Sequence, residues 1–161
     1  MCHAAANGHL EVLKYARAKG CPWGQNTCHA AAASGHLEVL KYAHENDCQW
    51  GQGTCECAAY YGHLECIKYA HENHCPWDDK TLNLAAANGH VECLKYAHEN
   101  GCPWDDTGRA IYKAAVNGHL TCLKYARENG CPWNEYVCEA AASSGDLEVL
   151  QYATGMAENQ P

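Results

Sequence analysis

A Gly-His pair returns along this chain at an almost constant interval. It stands at Gly8-His9, Gly35-His36, Gly62-His63, Gly89-His90 and Gly118-His119, with Gly145-Asp146 closing the series, in steps of 27, 27, 27, 29 and 27 residues. A Cys-x-Trp element keeps the same phase at Cys21/Trp23, Cys48/Trp50, Cys75/Trp77, Cys102/Trp104 and Cys131/Trp133. A fixed period of this length means that each copy is one supersecondary element, burying its apolar surface against its neighbours. The 161 residues therefore divide into six units of a single domain, at about 1–26, 27–53, 54–80, 81–109, 110–136 and 137–161. The long step places two extra residues between Asp106 and Ile111, where Thr107 and Gly108 read as a loop insertion.

The second unit carries the internal logic. Thr27 to Ser34 is Ala-rich and favours helix, and Gly35 is a natural stop. Leu37 to Asn46 then places Leu37, Val39, Leu40, Tyr42 and Ala43 on one broad helical stripe. Glu38 lies in the first turn, where a carboxylate suits the helix dipole, three residues before Lys41. Gly20, Gly101 and Gly130 occupy the position of a left-handed cap, and Asp47 and His74 replace glycine there in two units. The few residues between Trp50 and the next helix allow a tight turn but no full hairpin. The expected fold is all-α: a solenoid of six stacked helix-turn-helix repeats with short connectors and little or no β-hairpin.

The pattern Ala-Ala-x-x-Gly-His-Leu-Glu-Val-Leu-Lys-Tyr-Ala-x-Glu-Asn-Gly-Cys-Pro-Trp resembles the ankyrin repeat, in a short 27-residue variant, across essentially the whole chain. Units of about 33 residues are usual in that family, so most of the projecting hairpin is missing here. Of the family's Thr-Pro-Leu-His opening, only His29 keeps the His position; Cys2, Glu56, Asn83, Tyr112 and Glu139 stand there in the other units. The resemblance implies a non-catalytic scaffold that binds a partner protein. With hairpin tips absent, it implies recognition through the concave helix face.

Comparison of the units with one another separates packing positions from variable ones. The positions of Ala31, Ala32 and Gly35 scarcely change, and that of Cys28 stays mostly apolar. The positions of Asn26, His29, Ala30 and Ala33 vary widely at i, i+3, i+4 and i+7, which is one helical face. Its richest stretches are Glu56, Tyr60 and Tyr61, then Arg109, Tyr112, Lys113 and Val116, with His29, Lys80, Asn83, Tyr136 and Glu139 on the same line. Tyr and Arg are frequent interface anchors. These twelve residues are the candidate partner-binding set; unselected drift of surface positions is the alternative.

Thirteen Cys and eleven His raise a second reading, a zinc- or redox-responsive module. Equivalent residues of stacked helices lie roughly 8–10 Å apart, and a disulfide needs Cα atoms within about 4.4–6.8 Å. The ladder Cys21, Cys48, Cys75, Cys102, Cys131 is therefore expected to pack in the core as free thiols, in a reducing cytoplasmic setting. His71, His74 and Cys75 are the best local metal cluster, but no CxxC pair supports them. His44, His71 and His98 share a position with Arg17 and Arg127, which reads as polar surface. The Gly-His histidines are expected to be structural, bonding backbone groups at the turn, and Asp146 to loosen the last one. Asp78/Asp79 and Asp105/Asp106 precede helices and read as caps.

No nucleophile elbow, phosphate loop or HExxH motif occurs, so neither an enzyme nor a cofactor is expected. Lys and Arg total 11 against 19 Asp and Glu, a net charge of -8 that repels phosphate backbones and argues against a nucleic-acid partner. No apolar run reaches the roughly 18–20 residues of a membrane span. A monomer is expected, and a purely structural spacer is the third reading. Terminal repeats need polar outer faces, whereas Val149, Leu150 and Tyr152 are not polar. The chain is thus expected to be part of a longer array, or to fray at its ends.

Overall fold

The computed structural model describes residues 1–157. Among them, twelve α-helices follow one another and no strand occurs. The chain forms two compact units, Met1–Asp78 and Asp79–Pro161. The first holds α1 (Cys2–Ala6), α2 (Leu10–Ala18), α3 (Gln25–Ala33), α4 (Leu37–Glu45), α5 (Gln52–Tyr61) and α6 (Leu64–Glu72). The second holds α7 (Asp79–Ala87), α8 (Val91–Glu99), α9 (Arg109–Val116), α10 (Leu120–Glu128), α11 (Val137–Ser144) and α12 (Leu147–Ala157). Within each unit the odd-numbered helices pack side by side in chain order, and the even-numbered helices do the same. The tail at residues 158–161 lies outside the described residues.

Alanine makes this stacking close. Ala31, Ala32, Ala58 and Ala59 are fully buried in the first unit, as are Ala85, Ala86, Ala114, Ala115 and Ala141 in the second. Having no side chain beyond Cβ, they let neighbouring helices approach at little cost in side-chain entropy. Each even helix adds one fully buried aliphatic residue: Leu13, Leu40 and Ile67, then Leu94, Leu123 and Val149. Burial of such a side chain contributes about 2–3 kcal/mol. The first helix of the second repeat begins at Gln25, two residues before the expected start, because extended Gly24 acts as its N-cap and takes the Thr27 amide at 2.8 Å. Thr27 is buried rather than a helix boundary.

The turns hold the register. Gly35 sits at φ +72° and the His36 amide returns to the Ala31 carbonyl at 2.9 Å. The imidazoles bond backbone carbonyls, and the ones they reach stand at the turn of the previous repeat. His36 Nε2 lies 3.1 Å from the Ala6 carbonyl, and His63 Nε2 lies 3.1 Å from that of Ala33. Each ring occupies the space beside the earlier glycine: a Cβ on Gly35 would stand 2.6 Å from the His63 ring, and one on Gly89 would stand 2.8 Å from His119. Asn117 supplies the matching bond in the second unit, donating to the Ala87 carbonyl at 2.8 Å.

At the exits, Gly20, Gly101 and Gly130 adopt the left-handed conformation, and so do Asp47 (φ 64°) and His74 (φ 63°). Lys41 pairs with Glu38 at 3.1 Å, an exposed contact that contributes only a few tenths of a kcal/mol. Cys48, Cys75, Cys102 and Cys131 are buried, and burial pushes the Cys131 thiol up to about 12. Cys21 departs from this ladder and is exposed. Cys48 and Cys75 lie under the carbonyls of Gly24 and Gly51, at 3.4 and 3.3 Å, a cover that Cys21 lacks among the described residues.

The His/Arg ladder is not simple polar surface. His44 stacks on Trp50 at 3.7 Å and His71 on Trp77 at 3.9 Å, both nearly parallel, and His98 lies over Trp104 at 4.7 Å. Arg17 and Arg127 place guanidinium groups over Trp23 and Trp133, at 4.9 and 5.2 Å. A flat, cation-capable group thus covers the indole of every exit. Asp146 does not loosen its turn: its Oδ1 accepts the amides of Glu148 and Val149 and caps α12. Asp105 caps α9 through the Arg109 amide and also accepts from Thr107. Burial alone would raise its pKa, but these bonds outweigh that and hold it low.

The two-residue insertion creates the tightest backbone approach. Gly108 has φ +71°, and an added Cβ would stand 2.1 Å from the Pro132 carbonyl oxygen. Gly130 also has positive φ, but open space around it. Gly130→Ala is expected to cost about 1 kcal/mol from backbone strain, and Gly108→Ala about 3 kcal/mol or more. Urea unfolding of the two variants checks the difference.

In the first unit, the His29 ring packs over Gly53, where a Cβ would come within 2.9 Å. Burial pushes the His29 pKa below its ordinary 6.5, and the nearby Glu56 carboxylate offsets this in part. A histidine favoured neutral in the folded state binds its proton more readily when unfolded, so its stability contribution falls as pH drops below 6.5. Thermal unfolding between pH 7.5 and 5 is expected to show a shallower loss for His29→Asn, the residue type found at the equivalent Asn83, than for the parent chain.

Candidate functional site

The odd-numbered helices bury one side against each other and leave the variable stripe on another. In the first unit, α3 and α5 carry His29, Glu56, Tyr60 and Tyr61. His29 and Glu56 are half-buried, and Nε2 of His29 is buried without a hydrogen-bond partner. Tyr60 and Tyr61 are exposed and meet edge to face at 4.7 Å, at the end of α5 before the left-handed cap Gly62. Two phenol rings held against one another present apolar area with little rotamer freedom left to lose.

In the second unit, the stripe runs over α7, α9 and α11. Lys80, Arg109, Tyr112, Lys113, Tyr136 and Glu139 are exposed, and Val116 is half-buried. Asn83 departs from this pattern. It is only 6% exposed, its amide donates to Asp79 Oδ2 at 3.1 Å, and its own Oδ1 is buried without a partner. Its short side chain folds back along α7 instead of projecting.

Two clefts adjoin on this face. One, of about 330 Å³, is lined by Tyr112, Tyr136, Glu139, Ala140 and Ser143. The other, of about 290 Å³, is lined by Thr107, Arg109, Tyr112, Asn134 and Tyr136. Tyr112 and Tyr136 line both clefts, Arg109 only the smaller and Glu139 only the larger. Four sequence-selected residues thus converge, Arg109 and Tyr112 from α9 with Tyr136 and Glu139 from the start of α11, while Lys80, Lys113 and Val116 line neither cleft.

Ser143, Thr107 and Asn134 complete the clefts without having been singled out. Ser143 occupies the variable position of Ala33, Tyr60 and Val116, and that was its signal. Asn134 donates to the Thr107 carbonyl at 2.8 Å, pinning the inserted loop to the next repeat. The insertion itself was visible, its hydrogen-bond partner was not.

Chemically, these walls suit an apolar or aromatic side chain beside two tyrosines, with a positive charge in one cleft and a negative charge in the other to orient it. No nucleophile-base pair faces the clefts among their lining residues. Among the described residues, no group of three or more His, Cys, Asp or Glu side chains is arranged to hold a metal ion, and His71 is engaged with Trp77. No helix among the described residues is long and apolar enough to cross a membrane.

Comparison with known proteins places this geometry. A family model described as ankyrin repeats in three copies matches residues 1–69 and 55–136. No curated protein matches the chain. Among solved structures, the crystal structure of the human ASB11 ankyrin repeat domain is similar, with a TM-score of 0.82 and 23% identity over 96% of this chain and 81% of that one. The likeness is one of fold, an all-α repeat solenoid. The chain belongs to the ankyrin-repeat family.

Proposed function

We propose that this protein is a scaffold that binds a partner protein through the exposed face of its odd-numbered helices, with Arg109, Tyr112, Tyr136 and Glu139 as the principal contact. Ankyrin repeats are generally protein–protein interaction modules, typically without enzymatic activity. The single observation that carries the reading is the convergence of those four side chains, from successive repeats, on two adjoining clefts. Tyr60 and Tyr61, with His29 and Glu56, form a further patch on the first unit; Lys80, Lys113 and Val116 extend the stripe. The net charge of -8 favours a protein over a nucleic acid as partner. The many buried thiols are in keeping with a reducing, cytoplasmic location, and the scaffold acts as a monomer without cofactor.

The test has two stages. Affinity capture from native lysate identifies binders, and titration of the recovered partner then measures Kd. Combined Arg109→Ala, Tyr112→Ala and Tyr136→Ala substitutions are expected to raise Kd at least about tenfold. Tyr15→Ala, on an even-numbered helix, is expected to leave it unchanged. A Kd that survives both the triple variant and a Tyr60→Ala/Tyr61→Ala variant removes the odd-helix face from consideration.

A further inference from the structure

The cysteines that cannot pair along the stack can pair across a repeat. In the second repeat, Cys28 on α3 and Cys48 after α4 are 20 residues apart in sequence, both buried, and the Cys28 thiol lies 3.8 Å from the Cys48 carbonyl oxygen. The third repeat repeats the arrangement: Cys55 on α5 and Cys75 after α6 share one buried cluster with Ala70, walled by Trp50 and Trp77. Both pairs lie within the first unit. The fourth and fifth repeats keep the exit thiol, Cys102 and Cys131, but place Leu82 and Ile111 where Cys28 and Cys55 stand.

We propose that Cys28/Cys48 and Cys55/Cys75 are two reversible dithiol–disulfide sites, oxidised by a small hydroperoxide, each tying the first helix of a repeat to the exit of its second. The pairs are chemically asymmetric. Hydrogen bonding to Cys28 pushes the Cys48 pKa down, with the Arg17 guanidinium adding to the effect, and the same bond pushes Cys28 up. Hydrogen bonding to Cys55 likewise lowers Cys75. The Arg17 guanidinium near Cys48 and the Thr54 hydroxyl beside Cys75 favour these two sulfurs as the attacking thiolates, with Cys28 and Cys55 resolving.

The balance is complete with a hydroperoxide as oxidant. The Cys48 thiolate attacks the peroxide, the O–O bond breaks, and a sulfenic acid forms as alcohol or water leaves. The Cys28 sulfur then attacks the sulfenic sulfur. The S–O bond breaks, the S–S bond forms, and the Cys28 proton leaves with hydroxide as a second water. Two thiols are oxidised and one peroxide is reduced.

The test uses the full-length chain with Cys21→Ser, so that the exposed thiol forms no intermolecular bond. The folded protein is treated with hydrogen peroxide, denatured in the presence of an alkylating agent, digested with trypsin and chymotrypsin, and analysed by mass spectrometry. Lys41 and Lys68 fall between the partners of each pair, and chymotryptic cleavage after Trp50 parts Cys48 from Cys55, so only the new bonds hold the paired peptides together. Cys28–Cys48 and Cys55–Cys75 linkages are expected, each with a loss of about 2 Da, reversed by dithiothreitol, and at least about tenfold above any linkage of Cys102 or Cys131. Cys28→Leu with Cys55→Ile, which copies Leu82 and Ile111, is expected to abolish both while leaving the helical circular dichroism intact. Should that variant fail to fold, mapping of the parent chain decides alone. Linkages spread evenly over the cysteines, or peroxide consumed only as sulfinic acid, would overturn the proposal.

Discussion

The regularity of this protein rests on a contact between an imidazole and a glycine. His36 and His63 each lay a ring against the turn glycine of the repeat before, Gly8 and Gly35, and bond the carbonyl at the end of that repeat's first helix. The glycine is needed twice over, for its positive φ and for the empty space where a Cβ would stand. The histidine is needed because it is flat enough to fit that space and polar at its tip. Within a unit they limit how one helical pair lies against the last, and the alanine surfaces of its odd helices then meet. Where His119 presses on Gly89, Asn117 takes over the carbonyl, so the steric part is kept while the polar part changes hands.

Much of this was legible because it recurs. Helix stripes, positive-φ caps and the Ala-rich packing face repeat at a fixed step, and a comparison of the copies isolates them. What escaped was anything that links two different positions. The fit of His36 onto Gly8 crosses the boundary that the repeat period draws, so alignment of copies places the histidine at a turn without showing which repeat it reaches. The stacking of His44 on Trp50 requires the side chains to be seen, since a position shared by His and Arg has the polarity of a surface site and the shape of an indole cover. Distance arguments about the cysteine ladder compare equivalent positions only, and so pass over Cys28 and Cys48, which are unequal positions in one repeat. Asn83 fell outside its expected exposure for a local reason, the short reach to Asp79 one turn earlier. The candidate face was read as a stripe, and only folding of α9 against α11 could select which members of it form clefts.

The shortened repeat also bears on the proposal that recognition falls to the odd helices. Each exit ends on a tryptophan already covered by a histidine or arginine of its own repeat, so the exit indoles are engaged within the chain and the exposed tyrosines are left to make contacts. The inserted pair Thr107-Gly108 is the one break in the period, and it adjoins the clefts. Asp105 caps the helix that follows, Asn134 holds the Thr107 carbonyl, and Gly108 tolerates no Cβ. These restraints come from both sides of the inserted loop, so Arg109 and Tyr112 start α9 from a braced position rather than a loose one. A solenoid gains nothing in stacking from two extra residues. Bracing them with three separate contacts makes sense when the residues they position, Arg109 and Tyr112 against Tyr136, are the ones that must hold still for a partner.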